Sequence, residues 1–251
     1  MINRLSATPV VTRTLLLANI ALYLLTLILS NSGIALEVIL GSFYPESLNF
    51  KWWQPFTHLF IHGGTAHIAF NMFALYMFGS TVEDTIGPKR FLILYFLAGL
   101  GAFVLFNAQT AYYVSALKTA VSGFGLDPAL LQEAMRLNSA GVPATPRVPN
   151  IPEVVELAQY YIRPMVGASG AIYGLLVAYG LLYPNAKLVF MLIPVPIKAK
   201  FFIPGLILLE IVLGLFNFSW NPVAHFAHLG GAIVGFILVQ YWLKKYRQPH
   251  A

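Results

Sequence analysis

The chain has 251 residues, of which 58 % are hydrophobic and 10 % charged, with a mean hydropathy of +0.73 and a formal net charge of +6. No soluble domain of this size has that balance, so the composition specifies a polytopic membrane protein; the positive charges are scattered at segment ends and argue against a nucleic-acid footprint. The absence of cysteine excludes disulfides, thiol catalysis and cysteine metal sites.

Six membrane-spanning segments are predicted within one all-α domain, residues 1–251. The first covers about Thr12 to Ser30 and follows Arg4 and Arg13. Its apolar run, Thr14 to Leu29, is long for the core of a signal peptide and has no clear small-x-small cleavage site, so it reads as a transmembrane helix. Residues 31–65 form an apolar, aromatic loop (Phe43, Tyr44, Phe50, Trp52, Trp53) suited to the outer interface. The second span runs from about Ala66 to Val82, and Gly87-Pro-Lys-Arg90 turns the chain into a third that is free of charge from Phe91 to Lys118. Residues 110–164 are longer than a connection needs and read as an extracytoplasmic insertion. Within it, Asp127-Pro128 supplies an N-cap and first-turn proline for a helix to about Asn138. A proline-rich link, Val142 to Pro152, follows, and Asn150-x-x-Glu153 opens a second amphipathic helix toward Ile162. The fourth span begins near Ser169, the fifth covers about Phe201 to Phe216, and an Asn-Phe-Ser-Trp-Asn-Pro break separates it from the sixth, about Ala224 to Leu243.

Charge gives the orientation. With a cytoplasmic N-terminus the inner segments hold ten Lys and Arg and the outer ones five, the latter outnumbered by acids, so both termini are expected inside. The fourth span then opens toward the extracytoplasmic face.

That span is unusual. From Ser169 to Tyr183 is about 15 residues, roughly 22 Å of helix against a hydrocarbon core of roughly 30 Å, so Ser169 is expected below the outer surface at the positive end of a helix dipole. Gly170-x-x-x-Gly174 accompanies Ser169, and Gly231-x-x-x-Gly235 accompanies His228. Close packing of two such small-residue stripes brings hydroxyl and imidazole within hydrogen-bond reach, the geometry of a nucleophile and its base. Tyr173, four residues after Ser169, shares its face and is placed to stack on that imidazole. His67 and Asn71 lie one turn apart on the second span. They read either as side-chain donors to an oxyanion or as a hydrogen-bonded packing pair between helices.

Gly167-Ala-Ser-Gly170 with Tyr173, Ala227-His228-x-x-Gly231-x-x-x-Gly235 and His67-x-x-x-Asn71 resemble the signatures of the rhomboid intramembrane serine proteases. Trp53-Gln-x-x-Thr57-His58-x-x-x-His62 resembles the family's first-loop motif, and Glu83-x-x-x-Gly87 its turn between the second and third helices. The resemblance implies a six-helix bundle with a short central fourth helix. It also implies a Ser169–His228 dyad, and an oxyanion hole from His67, Asn71 and the backbone N–H of Ser169. It further implies His62 and Glu83 as structural hydrogen-bonders, Tyr173 as the ring packed on the base, and His225 as a structural neighbour of the base. The implied partners are transmembrane protein substrates and the lipid bilayer, with no cofactor, metal or nucleic acid. The implied location is a bacterial cytoplasmic membrane with the site opening outward.

The chain departs from the family pattern in three places: Gln54 where many bacterial members have arginine, the long 110–164 insertion, and Glu210 inside the fifth helix. No triad carboxylate is implied, so Glu210 is expected to pair with a helix neighbour or to be protonated. Two other functions compete. One is a non-catalytic rhomboid-like binder of membrane helices, although such relatives typically lack the serine or histidine present here. The other is a metal-dependent membrane enzyme or transporter using His58, His62, His67 and His228, against which stands the lack of a His-Glu-x-x-His motif or a nearby acidic ligand.

Overall fold

The computed structural model describes residues 8–143, 149–190, 193–216 and 223–247. The elements are α1 (Val10–Ser30), α2 (Leu36–Leu40), α3 (Gln54–Thr57) with a 3-10 turn at His58–Phe60, α4 (Thr65–Ala74), α5 (Ser80–Ile86) and α6 (Pro88–Gly123). There follow α7 (Pro128–Ala134), α8 (Pro152–Ile162), α9 (Ser169–Leu182), strands β1 (Lys187–Phe190) and β2 (Ile193–Lys198), α10 (Ala199–Phe216) and α11 (His225–Arg247). The predicted helix break at 217–222 lies outside the described residues, as do Arg4 and part of the proline-rich link.

Among the described helices, α1, α6, α10 and α11 are long and apolar enough to cross a membrane, whereas α9 has only 14 residues. The predicted second span is α4 and α5 joined by a π-helical turn at Leu75–Gly79. Leu17 and Ile28 on α1, Leu208 and Leu215 on α10, and Phe236 and Ile237 on α11 are exposed. Large apolar side chains turned outward on apolar helices suit hydrocarbon rather than water, and the chain is an integral membrane protein of the helical class.

The chain packs as two compact units. The first comprises residues 1–18, 69–105 and 169–251. Its core is a seam of small residues where α9 meets α11. A methyl group at Gly231 would lie 1.8 Å from the Gly170 carbonyl oxygen, and one at Gly235 would lie 2.5 Å from that of Gly174. The third helix of this unit joins the same way: a methyl at Gly230 would sit 2.2 Å from the Gly101 carbonyl oxygen, and methyls at Gly170 and Gly174 would meet the side chains of Ala102 and Ala98. Backbone therefore rests on backbone, the packing that serves helices surrounded by lipid, where apolar side chains gain nothing from leaving the solvent.

Glu83, 3 % exposed, belongs to this unit and ends a different problem. The first N–H groups of a helix have no partner within it, which is costly away from water. The Glu83 carboxylate accepts the N–H groups of Val11 at 2.9 Å and Thr12 at 2.6 Å, capping α1 from another helix. Beyond α9, β1 and β2 pair antiparallel, a hairpin not anticipated from the sequence. Pro194 and Pro196 remove the N–H groups a helix would need, which leaves an extended pairing as the alternative.

The second unit comprises residues 19–68 and 106–168. Here α6 continues to Gly123, so residues 110–123, assigned above to the insertion, are helical. Tyr44 of the first loop, Val114 and Val121 of α6, Leu131 of α7, Met135 just after it, and Val154, Leu157 and Tyr161 of α8 form one apolar core. Asp127 caps α7 as expected, accepting the Ala129 N–H at 2.8 Å. The cap of α8 is Ile151 with Pro152 behind it, not Asn150. The two long loops are thus one packed body. Asn49 fastens them: its amide donates to the carbonyls of Met135 at 3.2 Å and Tyr161 at 3.1 Å and accepts from the Leu137 N–H at 2.8 Å. Gln54, fully buried, accepts from the Lys51 N–H at 3.0 Å and donates to the Asn49 carbonyl at 3.2 Å. An arginine could only donate there, so this loop is folded around an amide.

Gly231→Ala is expected to force α9 and α11 apart and cost on the order of 1–3 kcal/mol or prevent accumulation. Thermal melts in detergent would read this, with Gly205→Ala, which meets nothing within 4 Å, as the neutral control. Glu83→Ala leaves one buried and one half-buried N–H group unpaired and should lower stability by about 1–3 kcal/mol in the same assay.

Candidate active site

Ser169 is positioned by the strand of chain that precedes it. Arg163, held extended before Pro164, ends α8. Gly167 then takes φ +117°, a region closed to most side chains, and its N–H bonds to the His58 carbonyl at 3.0 Å. Two residues later Ser169 opens α9, where backbone N–H groups point out of the helix end unpaired by the helix itself.

The glycine seam then delivers the partner. His228 Nε2 lies 2.9 Å from Ser169 Oγ, and the imidazole is 8 % exposed while the serine is half-buried. The Tyr173 ring stacks on the imidazole with centroids 4.2 Å apart and planes within 8°. Ser169 and Tyr173 of one predicted span and His228 of another are brought together, along with Gly170, Gly174, Gly231 and Gly235 beneath them.

Glu210 of α10 joins this cluster, which the sequence reading did not anticipate. Its Oε2 is 2.5 Å from His225 Nδ1, the Tyr173 hydroxyl donates to its other oxygen, and that oxygen lies 3.1 Å from His228 Nδ1. The last approach is at ion-pair distance but off the line of a hydrogen bond. The expectation that Glu210 pairs with a helix neighbour holds, but the pairing includes the histidine that faces the serine. A lone acid in an otherwise apolar span was the available signal; which residue it met was not readable from order along the chain.

Asn71 is 6 % exposed, and its Nδ2 has no hydrogen-bond partner among the described residues. A buried amide donor left unpaired is costly unless it has a task. In the second unit, His67, one turn before Asn71 on α4, stands edge-on to His62, with centroids 5.1 Å apart. His62 is buried, and neither ring nitrogen makes a hydrogen bond among the described residues. His62 is seen packed edge-on against the His67 ring. His58 is buried with Nδ1 at 3.0 Å from the Gln54 carbonyl. Burial pushes both His58 and His62 down to a pKa of about 4.

Among the described residues, the donor atoms able to converge on a metal ion are those of Glu210, His225 and His228, all within 4.8 Å of one another. This is not the set His58, His62, His67 and His228 considered above. An acidic group does lie beside His228, contrary to that reading, but its oxygens are engaged by Tyr173 and His225.

These features define a class: a helical integral membrane protein in which a serine at a helix start meets a buried histidine across a backbone-to-backbone helix seam. Residues 49–245 match the Rhomboid domain, and the chain belongs to the rhomboid family. It is similar to rhomboid protease AarA of Providencia stuartii, 28 % identical over 234 residues that cover 90 % of this chain and 70 % of AarA. It is also similar to RHOMBOID-like protein 12, mitochondrial, of Arabidopsis thaliana, 27 % identical over 85 % of this chain and 56 % of the relative. Rhomboid protease GluP of Bacillus subtilis strain 168 is 35 % identical over 34 % of this chain and 16 % of GluP. The chain thus spans a little over half of the mitochondrial relative and a small part of GluP.

A histidine with a pKa near 4 in the fold and about 6.5 unfolded binds fewer protons when folded between those values. Its contribution is present above about pH 6.5 and is lost as pH falls toward 4, by up to a few kcal/mol for the two together. Denaturation midpoints in detergent should fall over that window, and His58→Asn with His62→Asn should flatten the slope.

Proposed function

We propose that the chain is an intramembrane serine endopeptidase that cleaves transmembrane protein substrates near their extracytoplasmic end. The observation that carries this reading is the 2.9 Å approach of Ser169 Oγ to His228 Nε2 in a member of the rhomboid family. Ser169 Oγ attacks the scissile carbonyl carbon as Nε2 takes the hydroxyl proton. The tetrahedral intermediate collapses, the C–N bond breaks, and the imidazolium returns that proton to the departing amine. Water then attacks the acyl-enzyme, again losing its proton to His228, and Ser169 recovers a proton as the acid leaves.

The developing oxyanion is met by the Ser169 backbone N–H at the start of α9 and by the Asn71 amide. His67 is the further donor that the resemblance implies. The unpaired state of Asn71 Nδ2 supports this role over the packing alternative. Tyr173 fixes the plane of the base, and Gly167 presents the serine by a turn that a side chain would block. Glu83 and the glycine seam hold the frame.

The shortness of α9 supports a serine below the outer surface, since 14 residues cover only about 21 Å. The count of ten inner against five outer basic residues supports a six-span arrangement with both termini cytoplasmic, in a bacterial cytoplasmic membrane. An intact helix hides its carbonyl carbons behind side chains and hydrogen bonds, so substrates are expected to carry small or polar helix-breaking residues near the cut.

Covalent labelling of the detergent-purified protein by a fluorophosphonate tests the reading. Labelling is expected for the natural chain, absent for Ser169→Ala and reduced at least about 100-fold for His228→Ala. Persistence of labelling in a chelator is expected, because both exchangeable protons and charges are handled by side chains in this scheme. Folded protein that does not label at all would favour a non-catalytic binder of membrane helices.

A further inference from the structure

Glu210 is buried inside an apolar helix, at 6 % exposure, and makes three approaches to groups on two other helices. A carboxylate has no proton to give and room for several donors. The Tyr173 hydroxyl points at one oxygen, His225 Nδ1 stands 2.5 Å from the other, and His228 Nδ1 is 3.1 Å from the first. Two hydrogen-bonding partners, Tyr173 and His225, with a third nitrogen at ion-pair distance, form an arrangement that favours an ionised buried carboxylate, and such a carboxylate in a low-dielectric site acts strongly on the nearest cation.

The two nitrogens of His228 then have complementary tasks. Nε2 faces Ser169 Oγ and must be free of a proton to accept one. A neutral imidazole with Nε2 free carries its proton on Nδ1, the nitrogen that faces Glu210. We propose that Glu210 is a positioning residue for the proteolytic step: it holds His228 in the Nδ1–H tautomer and stabilises the imidazolium formed when Ser169 gives up its proton. The site is thus a Ser169–His228–Glu210 relay, with Tyr173 and His225 sharing the same carboxylate. The proton taken from Ser169 stays on His228 Nε2 until it passes to the leaving amine, and Glu210 remains ionised throughout.

The fold is shaped to bring this residue in. Gly214, one turn after Glu210 on α10, would place a methyl 3.0 Å from the His225 Cβ, so α10 approaches the start of α11 closely at this point. His225 and His228 are three residues apart on α11 and face the same way. His225 braces the carboxylate through its other oxygen, its ring lying at 88° to that of His228. Among the described residues, the titratable groups that face His228 are Ser169 and Tyr173 of α9, Glu210 of α10 and His225 of its own helix, so Glu210 is the one carboxylate among them.

The inference rests on the protease reading, and its test separates the two. Fluorophosphonate labelling rates are measured from pH 5 to 9 for the natural chain, Glu210→Gln and Glu210→Asp. Removing the negative charge favours neutral His228, so the acid limb of the Glu210→Gln profile should move down on the order of one pH unit while its plateau falls about 10- to 1,000-fold. Glu210→Asp should recover part of both. A Glu210→Gln protein that labels like the natural chain, with the same acid limb, would overturn the relay and leave the protease reading intact. A loss of plateau with an unmoved limb would overturn it as well, since a merely structural residue does that.

A second readout does not depend on labelling. Nitrogen-isotope spectra of histidine-labelled protein in detergent, assigned with His228→Ala, should show His228 protonated at Nδ1 and free at Nε2. Its titration should move to lower pH in Glu210→Gln. The opposite tautomer, or a midpoint indifferent to Glu210→Gln, would overturn the proposal even for a chain that never labels.

Discussion

The approach of α9 to α11 through their glycines is the constraint on which the site depends. Gly231 lies against the Gly170 carbonyl and Gly235 against that of Gly174, so the distance between the helix axes is set by backbone, without side chains between. Ser169 stands one residue before Gly170, and His228 three residues before Gly231. Once the backbones touch, hydroxyl and imidazole have little choice but to meet, and they do so at 2.9 Å. In lipid this contact must come from packing and polar bonding, since apolar surface is as well satisfied by hydrocarbon as by a neighbouring helix. Fixing the geometry by main chain also makes it rigid, which suits the alignment in advance that the proposed nucleophile and base require.

The same economy of polar groups governs the two buried carboxylates of this unit. Glu83 takes two N–H groups from the first turn of α1, and Glu210 gathers Tyr173, His225 and the far nitrogen of His228. Each is an acid whose desolvation is offset by donors brought from other helices. Glu83 does this for the frame. Glu210 does it beside His228, and the same contacts that satisfy it are able to orient the imidazole. The proposed relay therefore needs no element beyond those that keep a buried acid tolerable.

The second unit gathers the two long loops into one body, with Tyr44, Leu131, Leu157 and Tyr161 in a shared core and Asn49 and Gln54 satisfying the backbone groups of the turns. An irregular loop near a membrane must account for every N–H and carbonyl it carries. Amides do this better than charged groups because each both donates and accepts, which gives Gln54 a task that an arginine at that position would not perform. His58 adds a main-chain tie to Gly167, the residue whose turn leads into α9.

The class of the protein was legible in the sequence, and so were the residues that the structure gathers at the candidate site. Composition and the apolar runs pointed to a helical membrane protein, the distance from Pro164 to Tyr183 to a short serine helix, and the glycine stripes beside Ser169 and His228, together with the family motifs, to a pairing of the two. These are local or periodic properties, written in neighbouring residues and repeated every turn. Tertiary structure alone decided that Glu210 reaches His228, that Glu83 caps α1, and that the two long loops share a core. Each of those pairs groups far apart along the chain, and no periodicity links Glu210 to Tyr173 or Glu83 to Val11. The hairpin β1–β2 and the helical run through residues 110–123 were missed for a related reason: both are choices between local conformations that neighbours in space, not neighbours in sequence, resolve.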